Sequence, residues 1–210
     1  VVVLFNRFGS LTEWELGEVA FMYGIVNIAF SVSDAATRGF DVFGAMVKAG
    51  DFDRLLTRPR STVLQLAGQE LTLRRVGRFL QGLIILIWAS NEMNLDWTVL
   101  DAGLVIFAVL GGAALFAGLI VIQATIAFWS TESLEVMNSL TYGGVFATSY
   151  PVSIYRSWFR DFFIYIVPLA SVSYFPTLAI MGRTDSLGST TLFQYLSPLI
   201  GITFLAITLQ

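Results

Sequence analysis

Asp51 and Asp53 stand two residues apart in the run 50–59, and paired carboxylates are where general acid–base chemistry would start. They lie in a charged loop with no pocket-forming context, so they read as a solvated face rather than a catalytic pair. The other usual reagents are missing. The 210 residues include no Cys and no His, which excludes a thiol nucleophile, an imidazole base, a disulfide framework, a zinc finger and a c-type haem site. There is no Gly-x-x-x-x-Gly-Lys-Ser/Thr phosphate loop, so the chain has no such route to ATP. We expect no catalytic residue and no metal site, and hence no enzyme.

The elements that hold these residues belong to a bilayer. Charged residues make up 13% of the chain, against about 25% in an ordinary soluble domain. Five apolar stretches approach the length a membrane helix needs: 16–33, 75–95, 100–131, 162–182 and 191–210. The third is uncharged from Ala102 to Thr131, about 45 Å of helix, so it tilts or projects beyond the lipid. No linker or low-complexity tract divides them, so residues 1–210 read as one transmembrane domain. The chain opens apolar at Val1 and closes inside an apolar run, so the expectation is an internal stretch of a longer chain, with a membrane helix before it.

Orientation follows from the cations. Eight of the 12 fall together: Arg38, Lys48, Arg54, Arg58, Arg60, Arg74, Arg75 and Arg78. Such loops stay cytoplasmic, which places residues 37–72 inside. Five interleaved acids, Asp34, Asp41, Asp51, Asp53 and Glu70, argue against a nucleic-acid patch. Trp14, Trp88 and Trp97 then fall near the outer boundary, Trp129 near the inner one and Trp158 beside a boundary, as headgroup-seeking indoles should. Residues 134–153 admit two readings. Arg156 and Arg160 favour a segment at the inner face. Pro151, Pro168 and Pro176 favour an ascending helix followed by a re-entrant hairpin over 151–181.

Ionisable groups deep in a membrane are functional suspects. Here Asp34, Glu92, Asp96 and Asp101 sit near helix ends, and Asn27, Gln81 and Gln123 lie deeper but uncharged. A proton- or sodium-driven carrier usually needs a buried carboxylate, so that mechanism is disfavoured. The small residues of 111–118 allow close helix packing, within the chain or at a subunit interface.

The sharpest local feature is Gly50-Asp51-Phe52-Asp53-Arg54-Leu55-Leu56-Thr57-Arg58-Pro59. Asp51 can cap a short helix, Phe52, Leu55 and Leu56 share one face of it, and Arg58-Pro59 stops it. Such a rod suits a partner's groove, and equally the lipid surface or the foot of its own bundle. This run, with the basic foot Arg74-Arg75-x-x-Arg78 after it, resembles the permeases of bacterial type-2 ABC exporters, most closely a small branch with a G-x-(L/F)-D-x-L-L-x-R-P signature. Phe128-Trp129, Tyr150-Pro151-x-x-Ile154-Tyr155, Ile166-Val167-Pro168-Leu169-Ala170 and Tyr174-Phe175-Pro176 fit the same branch, so the resemblance covers nearly the whole chain.

The resemblance implies an all-α polytopic protein of the bacterial inner membrane: a six-helix permease whose first helix is missing from this chain, with a re-entrant hairpin before the last. Two such subunits, identical or paralogous, would form the pathway for a lipid, peptide or drug-like compound. Each would dock on a separate ATPase subunit that carries the ATP and magnesium. The docking residues would be Gly50, Asp51, Phe52, Asp53, Arg54, Leu55, Leu56, Arg58 and Pro59. Phe52, Leu55 and Leu56 would supply apolar contact, Asp51, Asp53 and Arg54 polar contact, and Pro59 a fixed corner. The competing readings are an ion-coupled carrier and a non-transporting membrane scaffold.

Overall fold

A computed structural model describes residues 13–41, 43–62, 65, 73–127 and 134–210. The expectations placed on residues 1–12 and 66–72, on Phe128 and on Trp129 lie outside the described residues, as do the side chains of 134–138. Among the described residues there is no strand. The helices are α1 (Leu16–Asp41), α2 (Phe43–Ala49), α3 (Phe52–Leu56), α4 (Leu73–Glu92), α5 (Val99–Ile126) and α6 (Leu134–Thr148). They continue with α7 (Ser157–Asp161), prolonged by a π turn over Phe162–Ile166, then α8 (Tyr174–Ile180), α9 (Thr191–Leu196) and α10 (Pro198–Thr208).

Local chemistry sets the ends of the long helices. At the start of α1 the Glu15 N–H donates to Glu18 Oε2 at 2.8 Å, and Arg38 sits in its last turn, so both charges suit the helix dipole. Thr98 and Asp101 form a complete capping box at the start of α5, whose 28 residues run about 42 Å. α1 and α5 are long and apolar enough to cross a membrane, and α7 with α8 makes a third candidate if the bent pair is counted as one span. Among the described residues these are two or three of the five stretches expected. In α4, Arg75, Arg78, Gln81, Asn91 and Glu92 dilute the apolar character, and the last stretch breaks at Ser197, leaving α10 with 11 residues.

α1 lies at the centre, with Phe21, Met22, Ile25, Val26 and Phe30 all but sealed from solvent. α4 packs along one side of it, and α5 along another. The small residues of α5 turn inward. Gly112 faces Val172 and Ala29, and Gly118 faces Phe204 of α10. Gly111 meets Pro198 and Gly201 backbone to backbone, an approach that no side chain at either glycine would permit. Of the two uses expected for these small residues, packing within the chain is the one observed.

α7 and α8 meet at a 74° bend. Pro168 lacks the N–H that would continue the helix, and Val167 before it is pushed to an extended conformation (φ −114°, ψ 92°). In a dry core the freed carbonyls need partners. Ser171 Oγ donates to the Pro168 carbonyl at 2.6 Å, while Ser173 Oγ reaches the Thr148 carbonyl at 2.8 Å and Tyr155 Oη the Ala147 carbonyl at 3.0 Å. The last turn of α6 is therefore closed by the hydroxyls of Tyr155, just before α7, and of Ser173 in the bent pair. Both ends of residues 153–183 return to one place: Trp14 Nε1 donates to Ser153 Oγ at 3.2 Å, and the Arg183 guanidinium lies 4.8 Å from the Trp14 indole. The bent pair is either one broken span or a re-entrant segment.

Candidate functional site

The run 50–59 folds against the end of the bundle opposite Trp14. Gly50 ends α2 with φ +76°, a left-handed conformation that favours glycine. Its N–H donates to the Val47 carbonyl at 3.2 Å and the Asp51 N–H to the Met46 carbonyl at 3.1 Å, the two bonds of a Schellman motif. The chain thus reverses within one residue and starts α3 at once. Asp51 occupies the cap position of α3, as expected, but its side chain makes no cap hydrogen bond; it lies 3.8 Å from Arg54, with both groups well exposed. At the far end the Arg58 N–H donates to the Leu55 carbonyl at 3.2 Å, and Gln65 Nε2 bridges the Leu55 and Arg60 carbonyls at 3.3 and 3.0 Å. These bonds hold Pro59 in a closed corner.

The apolar face expected for Phe52, Leu55 and Leu56 is divided. Leu55 is 7% exposed and packs with Phe40 of α1, Phe43 of α2, and Ile120, Val121 and Ala124 of α5. Phe52 is half-buried, edge-on to Phe43 at 4.9 Å between ring centres. Leu56 is 59% exposed. Two of the three apolar residues therefore anchor α3 to its own bundle, because the feet of α1 and α5 offer them a dry surface. Leu56 is left as the outward apolar contact. Asp51, Asp53, Arg54, Arg58 and Pro59 are exposed around it, and so are Lys48, Thr57 and Arg60. The outward surface is short, polar and predominantly cationic, with one leucine in it.

At the same end, Arg75 Nε bonds Asp34 Oδ2 at 2.8 Å, with both side chains largely buried, and ties the foot of α4 to α1. One turn on, the Arg78 guanidinium lies 5.0 Å from the centre of the Phe30 ring. At the Trp14 end, Arg183 bonds both carboxylate oxygens of Glu18 at 2.9 and 3.1 Å, and the Glu13 carbonyl at 2.7 Å. Tyr174 Oη donates to Asp185 Oδ1 at 2.7 Å, and Asp185 in turn accepts the Leu187 and Ser189 N–H groups. This network is not among the features expected from the sequence. Its only signal was a pair of opposite charges at two predicted outer helix ends, 165 residues apart.

Among the described residues no group of acids could hold a metal ion. A half-open pocket between α6 and the bent pair, beside Tyr155 and Ser173, has room for about one water. What the site near residue 50 offers is mechanical: a five-residue helix pinned at both ends and seated on two long helices. The family described as ABC-2 family transporter protein matches residues 1–210. No curated protein and no solved structure matches the chain.

Proposed function

We propose, from the premise that this chain belongs to the ABC-2 transporter family, that it couples a separate ATPase to transport through α3. Its role as a permease, the membrane component of an ABC transporter, follows from the family. ATP and magnesium would be held by the partner ATPase. Two permease subunits, identical or paralogous, would form the pathway in a bacterial inner membrane, with the bent pair α7–α8 re-entering from the outer face. The observation that carries the coupling reading is the seating of Leu55 on α1 and α5. A push on the exposed side of α3 is delivered to both helices, since a packed core transmits displacement rather than absorbing it. Leu56 would enter the partner's groove, with Arg54, Arg58 and Asp53 around it as polar rim.

The test is affinity capture of the full-length protein from its native membrane, beside a Leu56→Asp variant. An ATPase should accompany the wild type and be lost with the variant. The expected weakening is about tenfold or more, because a carboxylate would be desolvated at the contact. Leu56 is exposed, so the variant should melt as the wild type does. Recovery of the ATPase at wild-type yield with the variant would sink the docking assignment. Absence of any ATPase from the wild type would favour a carrier or a scaffold.

A further inference from the structure

The side of α4 turned away from the bundle has a periodicity of its own. Gly77, Gln81, Ile84, Trp88 and Asn91 recur at alternate steps of four and three, and all five are exposed. That is the spacing of a seam between two helices, with Gln81 and Trp88 in one set of core positions and Gly77, Ile84 and Asn91 in the other. Leu80 and Ile87, also exposed, flank it. From Gly77 to Asn91 the seam runs about 21 Å. Nothing lies within 4 Å of where a side chain at Gly77 would start, so the seam is open there.

Lipid is a poor cover for this face. α4 lies at the depth of α1: Gly82 closes on Ile28 and Asn27, and Gly24 of α1 closes on Leu86. Asn27 stands about 16 Å from the start of α1, near its middle, and Gln81 is the chain neighbour of Gly82. Gln81 Nε2 lies 3.3 Å from Tyr23 Oη. Its carbonyl oxygen and second amide hydrogen have no partner among the described residues. An amide left so in hydrocarbon is costly. α5 shows what lipid accepts: from Val99 to Leu110 none of its exposed residues has a polar side chain. A glutamine in mid-membrane calls instead for another helix that offers a donor and an acceptor.

We propose that this face of α4 is a contact between two copies of the chain, closed around a hydrogen bond between the two Gln81 side chains. The proposal rests on the permease reading and names the face by which its two subunits meet. Two copies in one membrane share an orientation, so their α4 helices run parallel and each seam residue meets its own counterpart across the two-fold axis. A glutamine amide is both donor and acceptor, and is thus complementary to itself. One polar residue at such a core position also fixes the register, because a shift sets the amide against an apolar side chain. No charge stands in the seam, so two identical faces do not repel. Gly77 lets the backbones approach at the Arg75 end, and Trp88 spaces them toward Glu92.

The experiment uses the full-length protein, with the ATPase that accompanies it, in native membranes. Gln81→Cys and Ile84→Cys, in separate variants, are oxidised with copper phenanthroline, and Ile84→Cys keeps the glutamine in place. The control is Ile106→Cys, on the exposed face of α5. Each seam cysteine should give a disulfide-linked adduct of two chains, since a parallel pair brings like residues within bridging distance. Wild type and Ile106→Cys should give none beyond background. The adduct should persist on dilution into excess phospholipid, which chance collision would not survive. Energy transfer between labelled copies in liposomes then reads Gln81→Leu, which should raise the dissociation constant about three- to twentyfold, and Gln81→Asn, which should restore part of the pairing. No adduct from either seam cysteine, or an equal adduct from Ile106→Cys, would overturn the proposal. So would an adduct with a protein of different mass, or a Gln81→Leu protein that pairs as tightly as the wild type. None of these results touches ATPase capture through Leu56, so the two readings fail separately.

Discussion

Replacing Leu55 with Ala should undock α3 without unfolding the bundle. A helix of five residues has no stability of its own in water, so α3 persists because Phe52 and Leu55 are seated on neighbouring helices. Burial of Leu55 is nearly complete, but Phe52 beside it is only half-buried, so the seat is open on one side. That favours the lower part of the Leu→Ala range, about 2–3 kcal/mol. Since 1.4 kcal/mol is a factor of ten, the docked population should fall about thirty- to hundredfold relative to the undocked. Hydrogen exchange in detergent reads this directly at the Arg58 amide, which is protected by the Leu55 carbonyl. Its protection should fall by that factor, while amides in the middle of α5 keep theirs. Leu56→Ala removes the same atoms from an exposed position and should leave exchange within about twofold of wild type, as exposed substitutions do. Equal losses of protection in the two variants, or none in Leu55→Ala, would refute the seating argument.

Asp34→Ala takes the carboxylate from a largely buried Arg75 and should cost about 3 kcal/mol, seen as a lower melting temperature in detergent. The charge swap Asp34→Arg with Arg75→Asp should recover part of it. Gly201→Ala places a methyl group on the Gly111 backbone and should cost about 1–3 kcal/mol on the same melting assay. Gly143→Ala, where nothing lies near, should be neutral or stabilise by about 0.5–1 kcal/mol. Gly50→Ala forces an L side chain into φ +76° and should cost about 1–2 kcal/mol of α3 docking, again visible as faster exchange at Arg58.

Much of the helical layout was legible in the sequence because membrane helices announce themselves by apolar length. α1 runs further than the apolar stretch 16–33 suggested. Ser31 and Thr37 donate their hydroxyls to the Ile28 and Ser33 carbonyls, so residues that look like a polar exit stay inside the helix. The short rod at 50–59 was visible from Gly50, its apolar spacing and Pro59. Its orientation was not, because spacing shows that Phe52, Leu55 and Leu56 share a face and says nothing of what covers it. Here the feet of α1 and α5 cover two of the three. The bend at Pro168 could be read from the proline, yet its direction depended on hydroxyls from Tyr155 and Ser173 meeting carbonyls of α6.

The central claim is that α3 meets an ATPase by its outward side while its inward side is held by the bundle. These 210 residues contain no cysteine, so a cysteine introduced among them is the sole thiol of this stretch. We would place one at Leu56 and, separately, one at Leu55, in native membranes, and treat both with a short thiol-to-amine cross-linker. Leu56→Cys should join the permease to an ATPase subunit, and Leu55→Cys should not. Cross-linking from Leu55→Cys alone, or from neither position while the ATPase is present in the membrane, would contradict the account.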